Sequence, residues 1–291
     1  MSESPKPRLS RAGIVEKIVI VLVTVQGING LASPLRRMFI KWIETSIADP
    51  GLAHVGLYLG HAIFLAGMLL YGWAVKRDRP YITGMFHGSA RRNALYGLLG
   101  AVMGFGAMGV CVFAASAHGD IAIQPSASVQ IPLFLLALPV VFIQSSTEEI
   151  ETRGFAFGKM KAEGVPLLVA VACSAFYFAY IHINNEGFGI LPLLGIFVVG
   201  FQYALCCHYF GTIWFTCGAH ALWNFTQDFI FGLPASGTPA AVSIFNTTVK
   251  GSSFFYDQAF GIEGSVMALI VNLVICGVIF VIGRRLQERR R

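Results

Sequence analysis

Apolar stretches of membrane-spanning length recur along this chain, and no other feature restricts its fold as strongly. A helix needs ~20 mostly apolar residues to cross the ~30 Å hydrocarbon layer of a bilayer. The pattern predicts an all-α fold, a polytopic membrane helix bundle of about eight transmembrane helices with an intramembrane polar cavity. The predicted spans lie at residues 13–33, 54–75, 94–117, 131–157, 166–184, 189–209, 211–231 and 262–283.

The composition agrees with a chain embedded in lipid. Of the 291 residues, 55% are hydrophobic and only 12% are charged, against roughly 25% charged residues in a soluble domain. The mean hydropathy is +0.67. No repeat, Pro-rich linker or long charge block divides the chain, so we expect one membrane domain. Its predicted regions are an N-terminal part with the first three spans (1–130), a core of four spans (131–231), and an outer loop, last span and basic tail (232–291).

The distribution of basic residues predicts the topology. Sixteen of the 21 Lys and Arg residues lie in residues 1–17, 76–92, 159–161 and 284–291, which an eight-span arrangement places on one side. The positive-inside rule makes that side cytoplasmic, so both termini are expected in the cytosol, at the plasma (inner) membrane if the chain is bacterial. The net charge of +6 is explained by this topology, and no nucleic-acid partner is expected. The first span is expected to be a retained anchor, with a cleaved signal peptide as the alternative.

Two outer segments are predicted to lie against the membrane. Arg36, Arg37 and Lys41 depart from the positive-inside rule, because they fall in the first outer loop. Residues 35–47 are therefore predicted to form an amphipathic helix on the outer surface. The long loop 232–261 contains three consecutive aromatic residues and is expected to rest on the membrane surface. The alternative is that this loop covers a site below it.

The fourth predicted span contains the densest group of ionisable residues. An ionisable side chain in hydrocarbon costs several kcal/mol unless it is paired or lines a wet cavity, so such residues indicate function. Here the sequence QSSTEEIETR occupies residues 144–153, ahead of the cytosolic Lys159. One alternative ends the span at Gln144 and leaves the acids in the cytosol. The remaining apolar run would then be too short to cross the membrane.

Helical spacing separates the roles of the two adjacent glutamates. Glu149 and Arg153 are four residues apart, on one helical face where they can pair, so that Arg153 neutralises and positions Glu149. Glu148 points ~100° away around the helix and stays free to act as a base. Glu151 has no partner in this arrangement and is expected on the opposite face of the helix.

Two further spans bring polar groups to a similar depth. Counting ~1.5 Å per residue from the cytosolic boundaries puts Glu148 ~15 Å and His220 ~14 Å deep. By the same count Asn224, on the same helical face as His220, lies ~20 Å deep and His182 ~24 Å deep. Three helices would thus share one buried aqueous site near the middle of the membrane. No chemistry is assigned to the other histidines, which are His54, His61, His87, His118 and His208.

The polar residues form motifs that resemble those of the CPBP family of intramembrane proteases. This family includes type II CAAX prenyl proteases and Abi-like bacteriocin-processing enzymes, and its eukaryotic members remove the last three residues of prenylated proteins. The resemblance covers residues from about 130 to 230. The motifs are Glu148-Glu149-x-x-x-Arg153, Phe178-x-x-x-His182 and His220-x-x-x-Asn224, in this order on three spans.

The resemblance implies an intramembrane endopeptidase that hydrolyses a peptide bond of a membrane-associated, prenylated or precursor peptide. Glu148 would take a proton from a water molecule held with His182. His220 and Asn224 would then stabilise the tetrahedral oxyanion. No cofactor is favoured. Because family members have been described both as glutamate peptidases and as metalloproteases, the alternative is a Zn²⁺ ion held by Glu148, His182 and His220.

Other functional classes fit parts of the pattern. His182 and His220 on facing helices could be axial haem ligands, but the two glutamates would then have no role. Buried Glu and His also suit a proton-coupled transporter, although no internal repeat supports one. A non-catalytic immunity or scaffold protein is a further alternative. The expected partners of the peptidase are the lipid bilayer and a peptide or protein substrate, lipidated in the case of a prenyl protease.

Overall fold

The computed structural model describes residues 9–289 and is mostly helical, with 73% of the residues in helices. The helices of the first half are α1 (Arg11–Ser46), α2 (Pro50–Leu59), α3 (Ala62–Ala74), α4 (Arg79–Thr83), α5 (Ala90–His118) and α6 (Ile131–Glu149). Those of the second half are α7 (Gly158–Ala162), α8 (Leu167–Tyr180), α9 (Ile190–Phe210), α10 (Trp214–Phe225) and α11 (Val266–Glu288). The π-helical segments are Ile150–Phe157 and Thr226–Ile230, short 3-10 turns lie at Gly84–Phe86 and Ile262–Gly264, and the strands are β1 (Ile121–Pro125) and β2 (Phe245–Val249).

The expected membrane helix bundle is confirmed. Within residues 9–289, six helical stretches are long and apolar enough to cross a bilayer. The fifth expected span corresponds to the shorter apolar helix α8, and the seventh to α10 with its π-helical continuation. The six long stretches are α1, α2 with α3, α5, α6 through α7, α9 and α11.

The predicted surface helix at 35–47 is wrong, because these residues continue the first span. α1 is 36 residues long, with Pro34 inside it and Ser10 as its N-cap. A proline removes one backbone donor and can kink a helix, but neighbouring groups in a membrane protein compensate for that loss. The backbone turns extended only at Ile47, ahead of the next helix. α1 therefore reaches from one end of the bundle to the other.

The acidic residues of the fourth span lie inside the bundle. α6 begins at Ile131, with Pro132 in its first turn where a missing N–H costs nothing. It then continues without a break through the π-helical segment Ile150–Phe157 into α7. A π-helical turn is uncommon and occurs frequently at functional sites. Glu148 and Glu149 are the last α-helical residues before this wider segment.

The helices α5 and α10 pack backbone against backbone. A Cβ atom at Gly104 would lie 2.1 Å from the carbonyl oxygen of Ala219, and one at Gly218 would lie 2.0 Å from that of Gly97. Only glycine permits this approach, which is a common way for helices to associate in membranes. Because Ala219 precedes His220, the contact fixes α10 where it presents His220 to α6.

The expected grouping of basic segments at one end of the bundle is observed. Lys159 donates a hydrogen bond of 2.5 Å to Asp78, and Lys161 lies 3.2 Å from a ring nitrogen of His208. Lys17 forms an ion pair of 3.5 Å with Glu163. Burial opposes ionisation of Asp78, but its hydrogen bonds to Lys159 and to a tyrosine outweigh this effect and hold its pKa below the ordinary value. We call this region the basic end.

The outer loop 232–261 packs on the protein, and its Ala235, Ser236 and Thr238 line the internal cavity, in agreement with the alternative that this loop covers a site below it. Strand β2 within it pairs antiparallel with β1, from Ile121 opposite Val249 to Pro125 opposite Phe245. Pairing with β1 satisfies backbone groups of the loop, and Tyr256 and Phe260 are buried in the protein, whereas Phe254 is 46% exposed.

Candidate active site

A polar cavity of about 540 Å³ lies within the bundle. α1, α2, α6 and α10 line it, together with the residues that follow α8 and the outer loop. Glu44, Asn185 and Thr238 line its far side, at the end of the bundle opposite the basic end. Glu148, His182, His220 and Asn224 all face this cavity. The cavity therefore extends from the middle of the bundle to the end that carries the outer loop.

Glu148 lies at the centre of the polar cluster. Its Oε1 atom accepts a hydrogen bond of 2.5 Å from the amide of Gln144, one turn earlier on α6. Its Oε2 atom is buried, accepts no hydrogen bond from any residue within 9–289, and lies 3.9 Å from Nε2 of His182 and 3.8 Å from Nε2 of His220. One carboxylate oxygen is thus held by the protein, and the other faces two imidazoles.

Glu149 points away from the cavity and pairs with Arg153. The guanidinium donates to Oε1 of Glu149 at 2.8 Å, and both side chains are 0% exposed. The guanidinium also lies over the rings of Phe178, at 4.1 Å, and Tyr203, at 5.3 Å. The pairing that the spacing predicts is present. A buried charge of this kind needs such contacts, because desolvation costs several kcal/mol.

The hydrogen bonds of the two imidazoles determine which ring nitrogen faces Glu148. Nδ1 of His182 lies 2.8 Å from the carbonyl oxygen of Phe178, which can only accept, so Nδ1 carries the proton. Nδ1 of His220 lies 3.0 Å from the Glu149 carboxylate and donates to it for the same reason. Both rings therefore point Nε2 toward Glu148. Phe178 packs against His182, with 5.0 Å between ring centroids.

Asn224 reaches Glu148 through an intermediate residue. Its amide nitrogen donates to Oε1 of Gln144 at 3.2 Å, and Gln144 donates in turn to Glu148. Ser145 donates to the same Gln144 oxygen at 3.0 Å. The sequence motif omits Gln144, although it lies four residues before Glu148 on the same face of α6. That spacing was a signal that could have identified it.

A comparison with protein-family models identifies the segment that carries this cluster. Residues 130–226 match the Rce1-like family, described as type II CAAX prenyl endopeptidase Rce1-like. The chain contains an Rce1-like domain. This match confirms the resemblance to intramembrane CAAX proteases, and with the apolar helices it establishes a multi-pass integral membrane protein. No curated protein and no solved structure matches the chain significantly.

The cavity of the Rce1-like domain is completed by residues outside the matched segment. Nε2 of His61, a residue between α2 and α3, lies 3.7 Å from Oε1 of Glu148. No chemistry was predicted for His61 from the sequence. Glu151 was expected on the opposite face, but it lines the cavity and accepts a hydrogen bond of 2.9 Å from Asn29. Glu151 stands three residues after Glu148, a spacing that places both side chains on one helical face and could have indicated this position.

A second buried hydrogen-bond network lies beside the polar cluster around Glu148. Asp228, four residues after Asn224, lies 2.6 Å from Nε2 of His54 and accepts from the hydroxyl of Tyr58 at 2.7 Å. No role was predicted for any of these three residues. His54, Tyr58 and His61 are spaced four and three residues apart, a polar stripe on an otherwise apolar segment that could have indicated them. The network joins α2 to the π-helical end of the seventh predicted span.

Glu148, His182 and His220, the residues that a zinc ion would need, do not have metal-ligand geometry. Within residues 9–289, no group of three or more His, Cys, Asp and Glu side chains could hold a metal ion as arranged. Zinc bonds of ~2.0–2.1 Å in a tetrahedral site bring ligand atoms to about 3.4 Å from one another. The separations from Oε2 of Glu148 to the two imidazoles, 3.8 and 3.9 Å, are wider. We therefore derive no step through a metal.

Proposed function

We propose that this protein is an intramembrane endopeptidase of the CAAX protease type in which Glu148 activates the attacking water. The observation that carries the proposal is the position of Oε2 of Glu148, which faces Nε2 of His182 and of His220 inside a membrane-embedded polar cavity. The Rce1-like match supports the reaction class.

A water molecule between Glu148 and His182 would be held in a defined orientation. Their facing atoms are 3.9 Å apart, beyond direct hydrogen bonding and within the reach of one bridging water. Because Nδ1 of His182 carries the proton, Nε2 of the neutral ring accepts, and so does the carboxylate. Such a water donates one proton to each group and presents its lone pairs to the substrate. Glu148 then takes the proton as the peptide carbonyl is attacked.

The oxyanion that forms on the carbonyl requires hydrogen-bond donors. In its protonated form, His220 donates from Nδ1 to the Glu149 carboxylate and from Nε2 to the oxyanion. Asn224 uses one amide hydrogen on Gln144 and retains a second for the oxyanion. The ion pair of Glu149 with Arg153 fixes the carboxylate that orients His220. Each preorganised donor of this type contributes roughly 3–4 kcal/mol to transition-state stabilisation.

The proposed topology determines the side from which substrate enters. If the basic end faces the cytosol, as the positive-inside rule requires, both termini are cytosolic and the cavity is reached from the opposite side. Glu44 and Thr238 at the far side of the cavity support this orientation of the opening. The substrate would then be a membrane-associated peptide or protein presented from outside the cytosol. Cysteine labelling at Ser236 and Glu163 in sealed vesicles would determine which end is external.

Cleavage of a peptide library by the detergent-purified protein tests the function. Wild type should cleave members of the library, Glu148→Gln and His220→Ala should lose that activity, and Glu16→Gln, an exposed control, should retain it. A strong chelator should leave wild-type activity unchanged, whereas inhibition by the chelator would favour the zinc mechanism. Activity that survives both site substitutions would refute the proposed site.

A further inference from the structure

His61 brings a third imidazole to the Glu148 carboxylate. It lies in the short connection between α2 and α3, outside the Rce1-like match at residues 130–226. The imidazoles of His182 and His220 face the other carboxylate oxygen, Oε2. Nε2 of His61 instead lies 3.7 Å from Oε1 of Glu148. The proposed activation of water uses only the imidazoles that face Oε2, so the imidazole beside Oε1 has no role in that step.

Contacts on the other side of the ring fix which nitrogen of His61 faces Glu148. Nδ1 lies 3.2 Å from the carbonyl oxygen of Tyr58, which can only accept, so Nδ1 carries the proton. Nε2 therefore presents a lone pair to Glu148. The ring also packs edge-on against Phe64, with 6.1 Å between ring centroids. In this orientation Nε2 can accept a proton from Glu148 once that residue has taken one from water.

Peptide hydrolysis requires a proton at the leaving nitrogen, and the proposed roles of Glu148, His182 and His220 leave this step open. An amine is expelled poorly as an anion, so an acid must protonate it as the C–N bond breaks. We propose that His61 is this acid and that it obtains the proton from Glu148. The inference rests on the proposed function, and it adds a catalytic residue from outside the Rce1-like domain.

Exposure to the cavity favours His61 over the other two imidazoles for this step. All three line the cavity, but the side chain of His61 is 22% exposed, against 12% for His182 and 9% for His220. The Arg36 guanidinium lies over the Phe64 ring at 5.4 Å, but arginine does not release its protons in proteins. A cation on that side disfavours a lasting imidazolium, so His61 passes its proton on.

Protons and electron pairs balance over one cycle. The water oxygen bonds to the carbonyl carbon, the π pair of the carbonyl moves to the oxyanion, and one water proton goes to Oε2 of Glu148. The terminal torsion of a glutamate is broad and two-fold, so the carboxyl group can turn and bring this proton opposite Nε2 of His61. When the tetrahedral intermediate collapses, the C–N pair leaves with the nitrogen, which takes the proton from His61. Glu148 is then again a carboxylate and His61 is again neutral.

A change of leaving group separates this role from a structural one. A peptide that wild type cleaves is compared with its thioester analogue, in which sulfur replaces the scissile NH. A thiol has a pKa of about 8.5, so a thiolate leaves without the help of an acid. In both reactions water must be activated, so Glu148→Gln should lower kcat on both substrates.

Two substitutions at His61 keep different contacts of the ring. His61→Asn retains an amide nitrogen for the carbonyl of Tyr58, and His61→Phe retains the packing against Phe64. Neither side chain can transfer a proton. Both variants should lower kcat on the peptide by about 10²–10⁴, the contribution of general acid catalysis, and kcat on the thioester by less than about tenfold. Turnover of the thioester in the same preparation shows that the variant is folded.

The control is His87→Asn, the same change at an exposed histidine, which should leave both reactions unchanged. Equal losses on peptide and thioester in both His61 variants would show a structural role and overturn the proposal. Peptide cleavage within about tenfold of wild type in these variants would overturn it as well, and either result leaves the proposed function intact. That function fails if wild type cleaves neither substrate or if Glu148→Gln keeps both activities, and the role of His61 fails with it.

Discussion

Replacement of Glu149 by glutamine separates the structural and chemical roles of the buried pair. Both partners are 0% exposed, so solvent does not screen the loss, and a buried arginine without its carboxylate costs about 3–5 kcal/mol. In Glu149→Gln the guanidinium still lies over the rings of Phe178 and Tyr203, and such contacts contribute ~0.5–2 kcal/mol. We therefore expect the free energy of unfolding to fall by about 3 kcal/mol, the lower end of that range. His220 also loses the carboxylate on its Nδ1.

The assay combines thermal unfolding in detergent with peptide cleavage. Glu149→Gln should lower the melting temperature by more than about 5 °C and abolish most activity. The double substitution Glu149→Gln with Arg153→Met removes both charges, so it should recover most of the stability without recovering activity. The reasoning is refuted if Glu149→Gln melts like wild type, or if the double variant is less stable than either single variant.

Three further changes give distinct outcomes. Asp78→Asn should destabilise the protein, because Lys159 loses its partner. A carboxyl whose pKa is lowered by folding stabilises the protein above its unfolded-state pKa, and this stabilisation is lost on acidification. The melting temperature of Asp78→Asn should therefore fall less between pH 6 and pH 3 than that of wild type. Gly218→Ala should lower the free energy of unfolding by roughly 1–3 kcal/mol, because the added Cβ would collide with the backbone at Gly97. An unchanged melting temperature would contradict the close packing of α10 on α5. Asn224→Ala should lower kcat by about 10²–10³ with little change in KM, whereas a pure KM effect would exclude an oxyanion role.

Much of the site could be predicted because helix geometry is regular. A constant rise per residue placed Glu148 and His220 at nearly equal depth, and the structure brings their side chains to 3.8 Å. The four-residue spacing of Glu149 and Arg153 likewise predicted a contact that is present. Predictions of this kind need only the local helix and the thickness of the membrane.

Other parts of the cavity depend on tertiary packing and could not be read from spacing. Nothing in the sequence near Asn29 or His61 indicates that α1 and α2 lie against α6. The partner of Glu151 could not be predicted either, because Asn29 lies on a helix 122 residues earlier in the sequence. The packing of the outer loop on the protein could not be predicted, because strand pairing with a segment about 120 residues earlier leaves no local signal.

The central claim is that the Glu148 carboxylate activates water, and kcat of Glu148→Gln on a peptide that wild type cleaves tests it most directly. Glutamine preserves the shape of the side chain and can still accept the hydrogen bond from Gln144, so the protein should fold with an unchanged or higher melting temperature. We expect kcat to fall by about 10²–10⁴, the contribution of a general base. A kcat within tenfold of wild type, in protein that melts normally, would contradict the mechanism.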